Sequence, residues 1–540
     1  MSWVQAAALC ALLAVIHTWP LASAPGTLSR NDNGDTMLNE WTLAWVEHQL
    51  PRVPAHLFQG NLFYPAHDAL AFSEPLIVPA ILGGPVAWLG GSPVLVFNLM
   101  LMAGFALTTL SVYCLVVRWT GDRAAGMLAG TIFAFNSHTL TRLPHVQAVH
   151  LYGLPLALLA ADRLVVSGRW RDALWLAAWL AVLAYTSGYL IVFGILMIVV
   201  AIVARAADWL SHPARVAKAL AVAAAVTAAL ITPVSLPYLR VARTEHMVRS
   251  LGEAAIYSAT LKNYVAAAGS IHMATWSTRL FNDPVDPLFP GICAVLCAAI
   301  AIGSAAIRPG ENRLLRRRVF MLAAIAAAGM ILSLGTHTPI YGWLYRAFPP
   351  MQGLRAPSRF GNLFLLGVAG LAGFGLVQLR RRFEAKRWIG AVSIAVVVIA
   401  NLEALRAPFQ FTRFEGIPNV YTMVRDAPGS VVLAEIPFYQ PFAIFKNADY
   451  VLASTLHWRP LMNGYSGYVP ESYVRYADEF GSFPSDEAVR AMRRAGVTHV
   501  MVHLTRLERD GPEFERRLGA REDLELLAVA SGGLRLYRLR

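Results

Sequence analysis

Long apolar runs alternate with short polar stretches through residues 1–405. A helix that crosses a bilayer needs about 20 mostly apolar residues, and ten segments reach or approach this length. The longest, 173–204, exceeds one crossing, and Ser187-Gly188 near its middle predicts a turn between two helices. The pattern predicts about 11 membrane spans, in the segments 3–21, 93–117, 124–135, 146–161, 173–204, 219–239, 288–307, 319–334, 360–379 and 388–405.

Two further apolar stretches need separate interpretations. Prolines and glycines interrupt 76–89, which predicts a re-entrant or interfacial helix that is buried against protein. The first span, 3–21, is followed by Ala22-Ser23-Ala24, which resembles a signal-peptide cleavage site, but the residues before the apolar run lack the expected positive charge. A retained span is therefore favoured over a cleaved leader.

Positive charge marks one set of connecting loops. If the N-terminus is cytoplasmic, the five inner loops hold 18 Lys and Arg residues against four acids. Cytoplasmic loops of membrane proteins carry such an excess, so this orientation is predicted for the loops 118–123, 163–171, 205–218, 308–318 and 380–387. It places the stretches 22–92, 240–287 and 335–358 and the tail 406–540 on the outer side.

The tail has a different pattern from the rest of the chain. Apolar runs of strand length alternate there with helix-like stretches such as 486–495. Strands are predicted at 430–438, 450–457, 497–504, 524–530 and 534–539. The fold class is thus an all-α polytopic membrane bundle, 1–405, followed by a soluble α/β domain, 406–540.

Composition agrees with a membrane protein. Hydrophobic residues make up 56% of the chain, charged residues 15%, and the mean hydropathy is +0.49. Soluble domains carry about 25% charged residues, so a soluble enzyme and a disordered scaffold are excluded. The net charge of +13 lies in the inner loops, which leaves no basic face to bind nucleic acid.

Several reaction classes lack their sequence motifs. No GxxxxGK[ST], HExxH, CxxC or GxSxG occurs, and Gly367, Gly370, Gly373 and Gly375 lie in an apolar span, which favours close helix packing over nucleotide binding. The spans are almost free of carboxylates, which coupled transporters generally need near the midplane. These absences weigh against ATP-driven chemistry and against transport.

The polar chemistry lies in the outer loops. An acid just past the first span, in the stretch that contains Asp35 and Glu74, could serve as a general base. The alternative is a solvated loop, because Asn31-Asp32-Asn33-Gly34 favours Asx turns.

Cationic residues stand at two other outer positions. The loop 136–147 contains His138, Arg142, His145 and Gln147, which suit a phosphate or simple interfacial anchoring. Arg355 and Arg359 precede a helix start, where forked donors and the positive helix end attract phosphate. Nonspecific contact with lipid headgroups is the other interpretation. In the tail, Trp458, Arg459 and Asn463 suit a sugar ring or a structural turn.

These motifs together resemble the GT-C superfamily of polytopic glycosyltransferases, in particular a bacterial branch related to enzymes that decorate cell-wall polymers. The resemblance runs along nearly the whole chain in short motifs: Gly34-Asp35, 61–65, Glu74-Pro75, Asn98, 143–147, 355–360 and 457–465. It implies an inner-membrane enzyme whose tail is periplasmic. The donor would be a polyprenyl-phosphate sugar, and the acceptor a glycan, a lipid or a protein.

The resemblance also implies roles for residues. Asp35 matches the acid that in the superfamily acts as base or helps to bind a metal. The second outer loop has His138, Arg142 and His145 where many members have acids, so a divalent metal, Mg²⁺ or Mn²⁺, is only a candidate cofactor. We expect transfer with inversion, donor phosphate binding by Arg142, Arg355 and Arg359, and substrate contacts from His145, Gln147, Tyr64, Trp458, Arg459 and Asn463.

Two other functions remain open at this point. One is a flippase or transporter of lipid-linked glycans, against which the shortage of intramembrane charge counts. The other is a non-catalytic envelope-assembly protein, whose tail would bind glycan or a protein partner.

Overall fold

The computed structural model describes residues 2–280, 286–307, 313–507 and 511–540. The protein is mostly helical, at 68%. The described α-helices of six residues or more are Trp3–His17, Gly34–Gln49, Ile77–Trp88, Pro93–Thr120, Arg123–Ala134, Gly153–Ser167, Trp170–Thr186, Gly188–Ala204, Pro213–Thr244, Leu251–Ile256, Ile292–Ile307, Arg313–Ser333, Pro339–Ala347, Gly361–Arg382, Ile389–Ala404, Tyr421–Asp426, Ala448–Ala453, Glu471–Phe480, Asp486–Arg494 and Gly511–Gly519.

Several of these helices have the length and composition of membrane spans. Within the described ranges four are long and apolar enough to cross a bilayer: Pro93–Thr120, Val146–Ser167, Pro213–Thr244 and Pro357–Arg382. Shorter apolar helices occupy other predicted spans, and the predicted break at Ser187 is confirmed, because Ser187 is extended and its side chain accepts a hydrogen bond from the N–H of Tyr189. The total of about 11 spans stays a prediction.

The contacts divide the chain into two compact units. The first unit contains 1–24, 98–234 and 248–410, and the second contains 25–97, 235–247 and 411–540. The first outer loop thus belongs to the same unit as the tail. The division into a membrane module, 1–405, and a separate domain, 406–540, stays a prediction.

The Gly361–Arg382 helix is the centre of the first unit. It packs against the helices Ile292–Ile307 and Arg313–Ser333, and 94% of its apolar window is buried. A Cβ atom added to Gly375 would lie 1.8 Å from the carbonyl oxygen of Cys297, so only glycine permits this approach. The expected close helix packing of the glycine stripe is confirmed.

A buried ionic cluster lies in the last turns of the Gly153–Ser167 helix. Asp162, whose side chain is 1% exposed, accepts hydrogen bonds from Arg205, Arg318 and the indole of Trp119. Arg205 also binds Asp208. The expectation that the spans hold almost no carboxylates therefore needs one correction, since Asp162 lies within a span, where two arginines neutralise it.

The second unit contains a four-stranded sheet. The strands are β3 (Leu433–Ile436), β4 (His499–His503), β5 (Leu524–Ala530) and β6 (Leu534–Leu539), in the order β3-β4-β6-β5. The pair β3–β4 is parallel and the other pairs are antiparallel. A short ladder joins β1 (Leu28–Ser29) to β2 (Thr412–Arg413).

One predicted strand in the tail is wrong. Residues 450–457 continue the Ala448–Ala453 helix into a 3₁₀ turn at Ser454–Leu456. An apolar run of this length suits a buried helix as well as a buried strand, and here the run packs against the Gly34–Gln49 helix. That helix is buried from Thr36 to Glu47, so the first outer loop is a core element of the second unit.

Candidate functional site

A cavity lies inside the first unit, where the loop after the Arg123–Ala134 helix meets the starts of two other helices. It is lined by His138, Thr139, Arg142, His145, Gln147, Ala148, Leu151, Ser187, Tyr189, Leu190, Phe193, Arg359 and Asn362. The structure thus brings together four predicted site residues: Arg142, His145, Gln147 and Arg359.

Several polar atoms around this cavity are buried without a hydrogen-bond partner in the described part of the chain. They are the Nε atoms of Arg142 and Arg359, both ring nitrogens of His138, Oε1 of Gln147 and Oδ1 of Asn362. A buried polar atom without a partner costs about 1–3 kcal/mol, and native proteins hold few of them. Their clustering at one cavity indicates a site for a polar ligand.

Arg142 is balanced by an acid that the sequence reasoning missed. Its guanidinium group donates to Asp286, which also accepts a hydrogen bond of 2.5 Å from the hydroxyl of Ser358. Burial alone would raise the pKa of Asp286, but the positive charge of Arg142 and the hydrogen bonds from Ser358 and Arg142 together outweigh burial and hold the pKa below its ordinary value. Asp286 is therefore ionised at neutral pH.

The histidine in the cavity wall is neutral. Burial, and after it the positive charge of Arg142, lowers the pKa of His138 to about 3. Two arginines, Arg142 and Arg359, line the cavity, and the carboxylate of Asp286 pairs with Arg142. The site therefore has a positive excess, which favours an anion.

Arg355 and Arg359 take different positions. The Arg359 guanidinium lies over the ring of Tyr189, 4.5 Å from its centroid, and lines the cavity. Arg355 lies over Tyr257, 5.0 Å from that centroid, and does not line the cavity. The hydroxyl of Tyr189 accepts hydrogen bonds from the backbone N–H groups of Arg355 and Ala356, at 2.8 and 3.0 Å, so Tyr189 fixes the loop that carries both arginines.

The predicted base, Asp35, lies in the second unit. It stands in the first turn of the Gly34–Gln49 helix, where Asn33 caps the helix by accepting from the N–H of Asp35 at 2.9 Å. One carboxylate oxygen of Asp35 accepts a hydrogen bond of 2.7 Å from the hydroxyl of Tyr465. Asp35 is half-buried, and Tyr465 holds its carboxylate in place.

Other acids near this helix have different environments. Burial raises the pKa of Glu40 to about 8, so Glu40 is protonated at neutral pH. Glu74 follows Ser73, whose carbonyl oxygen accepts from the hydroxyl of Tyr238 at 2.6 Å. Across residues 2–280, 286–307, 313–507 and 511–540, no group of three or more His, Cys, Asp or Glu side chains is placed to hold a metal ion. The candidate Mg²⁺ or Mn²⁺ stays a prediction, and no step below uses a metal.

Two of the side chains predicted to contact a sugar, Asn463 and Arg459, already make hydrogen bonds to the backbone of the second unit. Asn463 is fully buried, and its amide bonds both the N–H and the carbonyl of Glu435, at 2.7 and 3.0 Å. Arg459 donates to the carbonyls of Arg425 and Ala427. The amide of Asn463 and one guanidinium nitrogen of Arg459 are thus occupied by backbone, and the sugar contacts of both residues stay predictions.

The two aromatic candidates remain half-buried. Trp458 stacks on His48 with centroids 4.1 Å apart, and its backbone has a φ of 56°, which is rare for a bulky residue. The N–H of Tyr64 donates to the carbonyl of Leu461 at 2.9 Å. Both rings retain exposed surface, so the prediction that they contact a sugar stays open.

Three residues of these sites were missed from the sequence. Asp286 precedes a proline in an outer loop, and an acid there is a signal that was available. Tyr189 lies inside an apolar run, where a tyrosine gives no signal of its own. Tyr465 was included only as part of the motif 457–465. Its hydrogen bond to Asp35, 430 positions away, could not be predicted from the spacing of residues.

Comparisons with known proteins complete the description. No protein-family model matches the chain, and no curated protein has a matching sequence. Among solved structures, the chain is similar to the arabinofuranosyltransferase AftD from Mycobacteria (TM-score 0.59, 16% identity), with 100% of this chain and 40% of that chain covered. It is also similar to the oligosaccharyltransferase of Archaeoglobus fulgidus (TM-score 0.50, 12% identity), with 100% and 74% covered.

These likenesses concern the fold. Both proteins are membrane glycosyltransferases of the GT-C superfamily, so the GT-C-like fold that the sequence resemblance predicted is confirmed. The chain spans less than half the length of the AftD structure.

Proposed function

From this GT-C-like fold, we propose that the protein is a membrane glycosyltransferase that uses a polyprenyl-phosphate sugar. The observation that carries the proposal is the cavity of the first unit, where two buried arginine Nε atoms lack partners within the described residues. Charge-assisted bonds from arginine to phosphate are among the strongest hydrogen bonds in proteins. The location in a bacterial inner membrane, with the tail in the periplasm, is part of the same proposal.

The proposed reaction places a different demand on each group. The acceptor hydroxyl attacks the anomeric carbon, its oxygen forms the new glycosidic bond, and its proton passes to the carboxylate of Asp35, with Glu74 as the second candidate base. The bond between the anomeric carbon and the phosphate oxygen breaks, and the electron pair leaves with the phosphate. Attack opposite the leaving group inverts the anomeric centre. The acceptor is a glycan, a lipid or a protein.

The leaving phosphate needs stabilisation of its charge more than it needs a proton. Arg142 and Arg359 supply positive charge in a site where burial strengthens the electrostatic interaction. His138, neutral at pH 7, His145 and Gln147 would orient the phosphate and the sugar. Arg355 would act from outside the cavity wall, and Trp458 and Tyr64 would offer ring faces to sugars.

Replacing Arg359 by alanine tests the phosphate site. Loss of a hydrogen bond to a charged group costs about 1.5–3 kcal/mol, so the Kd for farnesyl phosphate should rise about 10-fold or more. Farnesol, which lacks the phosphate, should bind the variant and the unaltered protein equally. Binding is measured by titration of the purified protein in nanodiscs.

Arg346→Ala is the matched control, because Arg346 is exposed in the same unit and does not line the cavity. Its Kd for farnesyl phosphate should equal that of the unaltered protein. If Arg359→Ala binds farnesyl phosphate as Arg346→Ala does, the cavity is not a phosphate site and the proposal loses its main support.

A further inference from the structure

The hydroxyl of Tyr465 contacts the carboxylate of Asp35 across 430 positions of sequence, at 2.7 Å. A phenol that donates to one oxygen fixes the rotation of a carboxylate about its Cβ–Cγ bond. A base is effective only when it lies within hydrogen-bond reach of the proton that it removes. The contact therefore concerns the geometry of the group to which the proposed function assigns proton transfer.

Tyr465 is itself held in place from two sides. A Cβ atom on Gly34 would lie 3.2 Å from Cε1 of Tyr465, so the glycine before Asp35 lets the ring lie against the start of the helix. The preceding residue, Gly464, accepts at its carbonyl a 3.0 Å hydrogen bond from the amide of Asn447. Asn447 is fully buried and also contacts the hydroxyl of Tyr473 at 2.7 Å.

The close approach of the backbone is required at Gly464 as well. A Cβ atom there would lie 2.5 Å from the ring of Phe63, and Phe63 donates its N–H to the carbonyl of Asn463. The phenol of Tyr465 is thus carried by a buried, hydrogen-bonded segment of the second unit. It is not a surface side chain that meets Asp35 by chance.

We propose that Tyr465 is a positioning residue for Asp35, which it holds in the rotamer that accepts the proton of the acceptor hydroxyl. This inference rests on the proposed function, in which Asp35 is the base. The bonds that form and break are those of the proposed sugar transfer, and Tyr465 neither gives nor takes a proton in that reaction.

The test is Tyr465→Phe, which removes one oxygen atom and keeps the ring. Radiolabelled membranes from a strain that lacks the protein supply the lipid-phosphate sugars and the acceptor glycan. These membranes are incubated with purified protein in proteoliposomes. We expect kcat to fall about 10-fold or more, since small displacements of a catalytic group are costly, while the apparent KM for the lipid donor stays unchanged. Rates are expressed per molecule able to bind farnesyl phosphate, so that partial misfolding does not lower kcat.

Tyr468→Phe is the matched control. Its hydroxyl lies three residues away and donates to the backbone carbonyl of Glu245, so its loss should leave kcat unchanged. If Tyr465→Phe and Tyr468→Phe both retain full kcat while Asp35→Asn is inactive, the positioning role is wrong and the base assignment stands. If Asp35→Asn retains full transfer, the positioning role of Tyr465 and the assignment of Asp35 as the base are both wrong.

Discussion

Asp35→Asn is expected to lower kcat for sugar transfer by about 10²–10⁴-fold, the usual contribution of a general base. The amide oxygen of asparagine still accepts the hydrogen bond from Tyr465 that Asp35 accepts at 2.7 Å. The side chain therefore keeps its shape and its partner, and it loses its negative charge and with it the ability to take a proton. The measurement is the release of label from lipid donor into glycan by purified protein in proteoliposomes.

The matched control is Asp32→Asn, the same change three residues earlier. Asp32 is 47% exposed and pairs with Arg30 on the surface, and exposed ion pairs contribute about 0–1 kcal/mol. Transfer by this variant should equal that of the unaltered protein. Equal rates for the two variants would show that Asp35 is not the base, and Glu74→Gln would then be the next variant to measure.

Asp162→Asn is expected to cause the largest loss of stability. The substitution keeps the volume of the side chain and removes the charge that neutralises Arg205, which is 1% exposed, and Arg318, which is 13% exposed. Removing one partner of a buried ion pair costs about 3–5 kcal/mol, because the remaining charge stays buried. The thermal unfolding midpoint of the purified protein in detergent should fall by several degrees.

Asp122→Asn is the comparison for this prediction. Asp122 binds Arg380, which is 37% exposed, at 2.9 Å, and it caps the Arg123–Ala134 helix. Asparagine also caps helices, so only a partly exposed ion pair is lost, at a cost of about 0–1 kcal/mol. A midpoint for Asp162→Asn that equals the one for Asp122→Asn would contradict the importance of the buried cluster.

Much of the helical architecture could be predicted from periodicity and apolar length. The helix break at Ser187 and the close packing of the glycine stripe at Gly375 follow from local sequence, and both appear in the structure. The strand predicted at 450–457 is wrong, because a fully buried apolar run shows no periodicity that distinguishes a strand from a helix. The burial of the Gly34–Gln49 helix depends on contacts with residues hundreds of positions away.

In the candidate sites, too, some features could be predicted from the sequence and others depend on the fold. Arg142 was predicted to bind phosphate from its place beside two histidines in a polar loop, and Arg359 from its place before a helix start, and the structure places both at one cavity. Asn463 was predicted to bind sugar from its residue type, but its amide is occupied by the backbone of Glu435. Residue type indicates what a side chain can bind, and only the fold shows which of its atoms are already bound.

The central claim is that the chain transfers a sugar from a polyprenyl phosphate. In the most direct measurement, purified protein in proteoliposomes is incubated with radiolabelled membranes of a strain that lacks it, and label on the polyprenyl-phosphate donor is separated from label on acceptors. We expect the unaltered protein to move label from the donor to glycan, lipid or protein acceptors, and Asp35→Asn to abolish this transfer. Label that crosses the bilayer but stays on its lipid would instead identify a flippase, and label that neither moves nor transfers would identify a non-catalytic protein.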